Sequence, residues 1–193
     1  MAITAQMVKE LRDRTGAGMM DCKNALNETG GDLEEAIKFL RTKGLGAASK
    51  KSHRAASDGV VVVEGDEGAM VVLELNCETD FVARNPDFVS FAEELAAQAL
   101  SSGTTGVDEL TGQGYSGDGA QTVGEAISQK IATIGENIVL SRLERIEAGA
   151  DNRLNSYIHG GGKIGVVVEG AGGITPRPCT MSPSTWRPPN RDS

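Results

Sequence analysis

Two runs of strand-forming residues, separated by a four-residue spacer, constrain the fold of this chain more than any other feature. The runs occupy residues 60–64 and 69–77, and the spacer between them reads GDEG. The first run is rich in β-branched valine, and the second alternates apolar with polar residues as a half-buried strand does. A turn-rich spacer of this length is typical of an antiparallel hairpin, so the sequence predicts one here.

The second run ends in an acidic turn that carries an aromatic residue. Residues 74–85 read ELNCETDFVARN, and the strand alternation fails where Thr79, Asp80 and Phe81 follow. A phenylalanine in such a turn is either a plug folded back into its own core or a wedge offered to another molecule. From the residues alone the plug is the simpler interpretation, because buried aromatic side chains are far commoner than presented ones.

The N-terminal part of the chain carries the signals of three short helices. Thr4 can cap the first, residues 19–26 are long enough for the second, and Asp32 caps a third that we expect to end at Gly44. Such a bundle lies near the lower size limit for independent folding. A GGD string between the second and third helices resembles the ubiquitin-associated type of three-helix module.

The small, polar and basic segment at residues 44–58 predicts a linker that follows this module. We therefore place a three-helix module and its basic linker at residues 1–54, and a domain boundary at their end. His53 lies in the linker without a neighbouring ligand residue, and we interpret it as a solvated side chain.

Residues 55–148 predict a first α+β core subdomain. After the hairpin, residues 86–102 have the period of a helix, and a glycine-rich loop follows them. Thr122 caps a further helix, and a third strand at residues 137–146 points Ile138, Leu140 and Arg142 to one side. The order β, β, α, α, β predicts an antiparallel sheet with two helices packed on one face.

The end of the chain predicts a second, incomplete copy of this unit. Residues 156–170 read SYIHGGGKIGVVVEG and echo the SDGVVVVEG of residues 57–65, so we place the start of a second core subdomain at residues 149–174. Residues 175–193 hold five of the six prolines and show no helical or strand period. We expect this atypical tail to be disordered.

The acidic charge of the chain lies in its middle. Residues 55–148 hold 4 Lys or Arg against 17 Asp or Glu, whereas residues 1–54 hold 10 against 7. A surface of this sign repels phosphate backbones, so we expect no direct binding of nucleic acid. The negative charge of this region is better suited to binding a basic protein, or a protein whose own anionic ligand must leave.

The sequence also predicts a cytoplasmic protein without membrane contact. No apolar run approaches membrane-spanning length, and residues 1–14 carry charges where a signal peptide needs its apolar region. Cys22, Cys77 and Cys179 are odd in number and widely spaced, which argues against a disulfide framework or a zinc site. We expect them to be free thiols.

A carboxylate cluster is the one catalytic arrangement that the residues suggest. Glu74, Glu78 and Asp80 could hold a hard metal ion or serve acid and base chemistry. No EF-hand spacing, phosphate-binding loop or GxSxG string accompanies them, so a solvated acidic edge is the simpler interpretation. We expect no catalytic group, no metal site and no cofactor in this chain.

Two segments of the chain together resemble the bacterial elongation factor Ts family, whose members release GDP from elongation factor Tu. They read LRDRTGAGMMDCKNAL at residues 11–26 and TDFVARN at residues 79–85, and IGENI at 134–138 and YIHG at 157–160 are also similar. The resemblance covers residues 1 to about 173. It implies an N-terminal three-helix module followed by two related α+β subdomains, in agreement with the boundaries above.

The resemblance also assigns roles in binding a partner. In relatives the aspartate and phenylalanine of the TDF string enter the nucleotide domain of elongation factor Tu near its magnesium ion, and the phenylalanine wedges into an apolar pocket. The string corresponds here to Thr79, Asp80, Phe81, Val82, Ala83, Arg84 and Asn85. The expected partner is elongation factor Tu, both GDP-bound and nucleotide-free, and nucleotide and Mg²⁺ are its cofactors.

Contacts outside the TDF string are implied as well. The N-terminal module of relatives touches the nucleotide domain of the partner, which points to Lys9, Met19 and Met20 here. His159 in the YIHG string is assigned to a different domain of the partner, with a buried structural histidine as the alternative.

The chain departs from the family after residue 173. Relatives continue with a helix that carries an AMHIA-like string, whereas this chain has the proline-rich tail. We expect that tail to be a truncated or frame-shifted version of the region, which would leave residues 164–168 with exposed apolar surface and would reduce activity. Two functions of other classes stay open: a ubiquitin-associated-like adaptor that uses residues 1–54 without exchange activity, and a metal-dependent enzyme built on Glu74, Glu78 and Asp80.

Overall fold

The computed structural model of this chain describes residues 3–117 and 121–171. In chain order the elements are α1 (Ala5–Thr15), α2 (Met19–Glu28), α3 (Leu33–Lys51), β1 (Asp58–Gly65), β2 (Ala69–Cys77), α4 (Asp80–Ala83), α5 (Pro86–Ser102), α6 (Val107–Gly112), α7 (Val123–Ile134), β3 (Val139–Glu147), β4 (Asn152–His159) and β5 (Ile164–Ala171). The predicted α+β class, with N-terminal helices ahead of an antiparallel sheet, is confirmed. The predicted disordered tail and Cys179 lie outside the described residues.

The three predicted N-terminal helices form, and local capping explains where they begin. The side chain of Thr4 accepts a hydrogen bond from the Met7 N–H, and that of Asp32 accepts one from the Glu35 N–H. The helices pack around a small buried cluster that includes Leu11 and Leu26.

The predicted end of the third helix at Gly44 is wrong, because α3 continues to Lys51. Gly44 is buried against α7, where a Cβ atom would lie 3.5 Å from the Ser128 carbonyl oxygen and 3.6 Å from the Gln129 Cα. Close packing of the two helices therefore offsets the cost of glycine in a helix, which is about 1 kcal/mol. The basic residues at 44–51 belong to a packed helix, so the linker is confined to residues 52–57.

The sheet has the order β1-β2-β3, with antiparallel neighbours and β2 in the centre. Val62 pairs with Leu73, which pairs in turn with Leu143. Helix α5 lies across β1 and β2, and its Phe88 and Phe91 are completely or almost completely buried. Helix α7 contributes side chains to the same core and also packs against α3. The predicted layer of helices on one face of the sheet is confirmed.

The predicted alternation that puts Arg142 on the same side of the strand as Leu140 is wrong. The register pairs Leu75 with Leu140 but Glu74 with Arg142, so Ser141 is an extra residue and forms a β-bulge. Because of the bulge, the side chain that faces the core after Leu140 is that of Leu143, which is buried. Arg142 instead faces solvent and pairs with the Glu74 carboxylate at 3.6 Å.

Strands β4 and β5 form a separate two-stranded antiparallel sheet beyond β3, where the echo of the first hairpin predicted one. Their connection contains Gly160, Gly161 and Gly162, all with positive φ. The Gly162 carbonyl accepts a hydrogen bond from the Val61 N–H at 2.7 Å, which joins this hairpin to β1. Alternate apolar side chains of β5, namely Ile164, Val166 and Val168, are exposed.

None of the helices in the described part of the chain combines the length and the apolar character that crossing a lipid bilayer requires.

Candidate partner-binding site

The TDF string lies in a tight turn between the central strand and the main helix of the core. Residue Thr79 caps the one-turn helix α4, and Asn85 caps α5 by accepting a hydrogen bond from the Asp87 N–H at 2.8 Å. Pro86 occupies the first turn of α5, where its missing N–H leaves no bond unmade. Two helix starts in quick succession therefore fix the backbone of residues 79–85.

Phe81 is presented to solvent, with 84% of its surface exposed. Within the same helical turn Ala83 is buried and Val82 packs against the core. The short helix therefore turns Phe81 outward. The plug interpretation, in which Phe81 folds back into the core, is wrong. The residue pattern apart from the family resemblance could not show this, because it depends on which face of α4 meets the sheet.

Asp80 and Arg84 form an ion pair on the outer surface of the turn. The Arg84 Nη2 atom lies 3.2 Å from the Asp80 Oδ2 atom, at the i,i+4 spacing; the Arg84 side chain is largely exposed and that of Asp80 is about half exposed. Exposed pairs of this kind contribute about 0.3–0.5 kcal/mol. Asp80 is therefore free to exchange this partner for another at little cost.

The base of the turn is held by a carboxylate from a distant loop. The Oε2 atom of Glu136, between α7 and β3, accepts hydrogen bonds from the Glu78 N–H at 3.1 Å and the Thr79 N–H at 3.0 Å. Its Oε1 atom accepts a third bond, from the Thr79 hydroxyl at 2.7 Å. This contact spans 57 residues, and no local pattern in the sequence pointed to it, although Glu136 lies in the IGENI string.

The side chain of Glu78 makes the reciprocal contact, from the turn to the loop that carries Glu136. Its Oε1 atom accepts a hydrogen bond from the Asn137 N–H at 2.6 Å and lies 3.4 Å from Arg54 Nη1. The bond from the Asn137 backbone, followed by the Arg54 contacts, holds the pKa of Glu78 below its ordinary value although desolvation opposes this. Asn137 is itself buried and donates to the Arg54 carbonyl.

The three carboxylates that could have formed a metal or acid–base cluster do not converge. Glu74 pairs with Arg142, Glu78 with Asn137 and Asp80 with Arg84. Over residues 3–117 and 121–171, no group of three His, Cys, Asp or Glu side chains is arranged to hold a metal ion. The structure therefore gives the metal-enzyme hypothesis no support.

Cys77 lies directly behind the turn. It is completely buried, and its thiol donates a weak hydrogen bond to the Thr79 carbonyl at 3.2 Å. Burial, reinforced by the charge of Glu136, raises the pKa of the Cys77 thiol to about 11. Cys22 and Cys77 are both free, as predicted, and Cys77 acts as a packing residue rather than a nucleophile.

A second surface of interest lies on the N-terminal module. Met19 and Met20 at the start of α2 are 60% and 64% exposed. They line a mainly apolar groove of about 610 Å³ between α1 and α2. The groove also includes the side chains of Ile3, Val8, Lys9, Arg12 and Lys23. Asp13 also lines the groove, so three cations and one carboxylate surround the apolar side chains. This balance fits a partner surface that is apolar at its centre and mainly acidic at its edge.

His159, at the end of β4, belongs to neither surface. It is exposed, and its Nδ1 atom lies 3.1 Å from the Tyr157 hydroxyl. The alternative of a buried structural histidine is therefore wrong. It lies in the second hairpin, and the neighbouring Lys163, whose N–H donates to the His159 carbonyl, pairs with Asp58 at the start of β1.

The sequence of this chain is similar to those of one known protein family. The family model described as "Elongation factor TS" matches residues 78–177, beginning at the turn itself. The elongation factor Ts of Clostridium kluyveri is 55% identical over 169 residues, which cover 86% of this chain and 55% of that protein. Those of Clostridium botulinum and Magnetococcus marinus are each 51% identical, over 170 and 168 residues. The chain thus spans about half the length of these curated relatives.

Proposed function

Since this chain belongs to the elongation factor Ts family, we propose that it acts in translation elongation as a guanine nucleotide exchange factor for elongation factor Tu. It binds the GDP-bound and nucleotide-free forms of that partner and promotes the release of GDP. The observation that carries the proposal is the outward Phe81, 84% exposed beside Asp80 on a braced turn.

Exchange of this kind needs no catalytic group. A G protein holds GDP through backbone N–H groups around the phosphates and through Mg²⁺. A protein that binds better when this site is distorted must weaken GDP binding by the factor by which GDP weakens its own binding. Each ~1.4 kcal/mol of this coupling changes nucleotide affinity about tenfold.

Phe81 supplies the apolar part of the coupling. Burying a phenylalanine side chain that is otherwise in water contributes about 2–3 kcal/mol. If the burial occurs only when the nucleotide site is distorted, that energy corresponds to a loss in GDP affinity of roughly 30- to 150-fold. The braced backbone of residues 79–85 matters here, because a mobile side chain would lose part of this energy as entropy on binding.

Asp80 supplies the electrostatic part. Next to a site that balances anionic phosphates against Mg²⁺, an added carboxylate repels the phosphates and competes for the cation. Breaking the ion pair between Asp80 and Arg84 costs little free energy, because such a solvent-accessible pair is weak. Arg84 in turn becomes available to an acidic group of the partner.

The groove on the N-terminal module provides a second point of attachment. Met19 and Met20 bury apolar surface in the partner, while Lys9 and its basic neighbours face acidic groups at the rim. The module is tied to the core, because Gln129 donates to the Thr15 carbonyl and Lys51 donates to the Ile131 carbonyl. We propose that the groove and the turn engage the partner together, and that His159 on the second hairpin adds a third contact.

Release of fluorescent GDP from purified elongation factor Tu tests the proposal. We expect this chain to accelerate release, and Asp80→Ala and Phe81→Ala to lose most of the acceleration. Phe39→Ala is a control for the same type of substitution, since Phe39 on α3 is the other phenylalanine with an exposed surface, at 38%, and it should act like the wild type.

Three outcomes distinguish the alternatives. No acceleration by the wild-type chain would contradict the exchange function, and full acceleration by both turn variants would contradict the site. Binding without release, unaffected by changes at the turn, would favour the adaptor function of residues 1–54.

A further inference from the structure

We infer that Glu136 is a positioning residue for exchange, which holds the turn so that Phe81 and Asp80 project correctly. The inference rests on the proposed function, and it concerns a residue outside both the TDF string and the groove. Glu136 lies between Gly135, which ends α7 with a positive φ of 90°, and the buried Asn137. The loop is thus fixed on both sides of the carboxylate.

The contacts of Glu136 determine the orientation of α4. Both carboxylate oxygens accept hydrogen bonds, two from consecutive backbone N–H groups and one from the Thr79 hydroxyl. Because that hydroxyl donates to Glu136, its lone pairs face the Val82 N–H, which donates back to it at 3.4 Å. Glu136 therefore sets the Thr79 side chain, and Thr79 caps the helical turn that carries Phe81.

The turn has few other ways to hold this position. Helix α4 has only four residues, too few for a helix to be stable by itself. The Asp80–Arg84 pair is exposed and contributes little, and Phe81 projects into solvent. Among the described residues, the apolar side chains of α4 that pack on the core are those of Ala83 and Val82. The three charge-assisted bonds to Glu136 are the strongest polar restraint at its start.

The test compares Glu136→Ala and Glu136→Gln with wild type in the GDP-release assay, over a range of concentrations of this chain. Glutamine keeps the shape of the side chain and one acceptor oxygen. This variant therefore still measures the effect of the lost hydrogen bonds if the alanine variant does not fold. We expect the maximal release rate to fall roughly tenfold or more for alanine and less for glutamine. The half-saturating concentration should change less than about threefold, because the groove that attaches the partner is unchanged.

Glu169→Gln is the matched control. The Glu169 carboxylate also accepts two hydrogen bonds, from the Gly149 N–H and the Asn152 side chain, but in the second hairpin. This variant should release GDP at the wild-type rate. A fall in maximal rate equal to that of Glu136→Gln would mean that any loss of a loop-bracing carboxylate has the effect, and would overturn the inference.

A double-mutant cycle separates positioning from general stabilisation. If Glu136 acts through the turn, adding Glu136→Ala to a chain that already carries Phe81→Ala should change the rate less than about twofold, measured at chain concentrations where Phe81→Ala still accelerates release. Independent, multiplying losses would overturn the inference.

Amide hydrogen exchange in the free chain gives a readout that does not need the partner. The Glu78 and Thr79 amides should exchange roughly tenfold faster or more in Glu136→Ala, and at the wild-type rate in Glu169→Gln. Unchanged protection would overturn the positioning role. If protection changes as expected but the wild-type chain releases no GDP, the proposed function fails rather than the bracing of the turn.

Discussion

Gly44 is the position where the structure makes its sharpest prediction about stability. A Cβ atom at this position would sit at ordinary van der Waals distance, 3.5–3.6 Å, from the backbone of α7. Gly44→Ala therefore fits, and it should stabilise the chain by about 0.5–1 kcal/mol through helix propensity. Gly44→Leu adds three further carbons where the backbones already touch, and should destabilise it by about 1–3 kcal/mol.

The assay is thermal unfolding followed by circular dichroism. For a chain of this size, each 1 kcal/mol shifts the melting temperature by about 2–4 °C. Gly46→Leu is the control, since Gly46 lies in the same helix with no atom within 4 Å of its would-be Cβ, and it should stabilise the chain. Equal effects of leucine at both positions would refute the reasoning that α3 packs on α7 through Gly44.

The remaining predictions concern the turn and the groove. The lowered pKa of Glu78 means that its stabilising effect is complete above its unfolded pKa of about 4.3 and is lost as pH falls through the folded value. Glu78→Gln should therefore lower the urea midpoint at pH 7 and flatten its acid-side pH dependence. Iodoacetamide should alkylate Cys77 very slowly at pH 8, because a pKa of about 11 leaves roughly one thiol in a thousand ionised. Met19→Glu and Met20→Glu should each raise the half-saturating concentration for GDP release about tenfold and leave the maximal rate unchanged. Leu45→Glu, at an exposed position of α3, should have no effect.

Each of these expectations has a contradicting result. An unchanged pH profile in Glu78→Gln would mean that the Asn137 bond does not stabilise the fold. Alkylation of Cys77 at the rate of a small-molecule thiol would mean that the turn opens readily. A lower maximal rate in the methionine variants, with an unchanged half-saturating concentration, would contradict a purely attaching role for the groove.

Local signals in the sequence were sufficient for most of the fold. Thr4, Asp32 and Thr122 each cap the helix that they predicted, because capping depends on residues within one turn of each other. The hairpin of β1 and β2 also formed as predicted, since its strands and spacer are adjacent in the chain.

Tertiary contacts decided the features that local signals did not. Gly44 continues a helix because α7 packs against it, and Arg142 faces solvent because of a bulge set by pairing with β2. The outward direction of Phe81 and the bracing by Glu136 depend on contacts between segments far apart in the chain. The identities of the candidate residues could be proposed from the TDF string, whereas the groove and the brace required the packed structure.

The most direct measurement of the central claim is the affinity of this chain for elongation factor Tu with and without GDP. Reciprocity requires the dissociation constant with GDP, divided by the one without GDP, to equal the factor by which the chain weakens GDP binding. With Phe81→Ala, we expect that ratio to fall roughly 30- to 150-fold, mainly through weaker binding to the nucleotide-free form. An unchanged ratio would contradict the account, because Phe81 would then contact both forms of the partner equally.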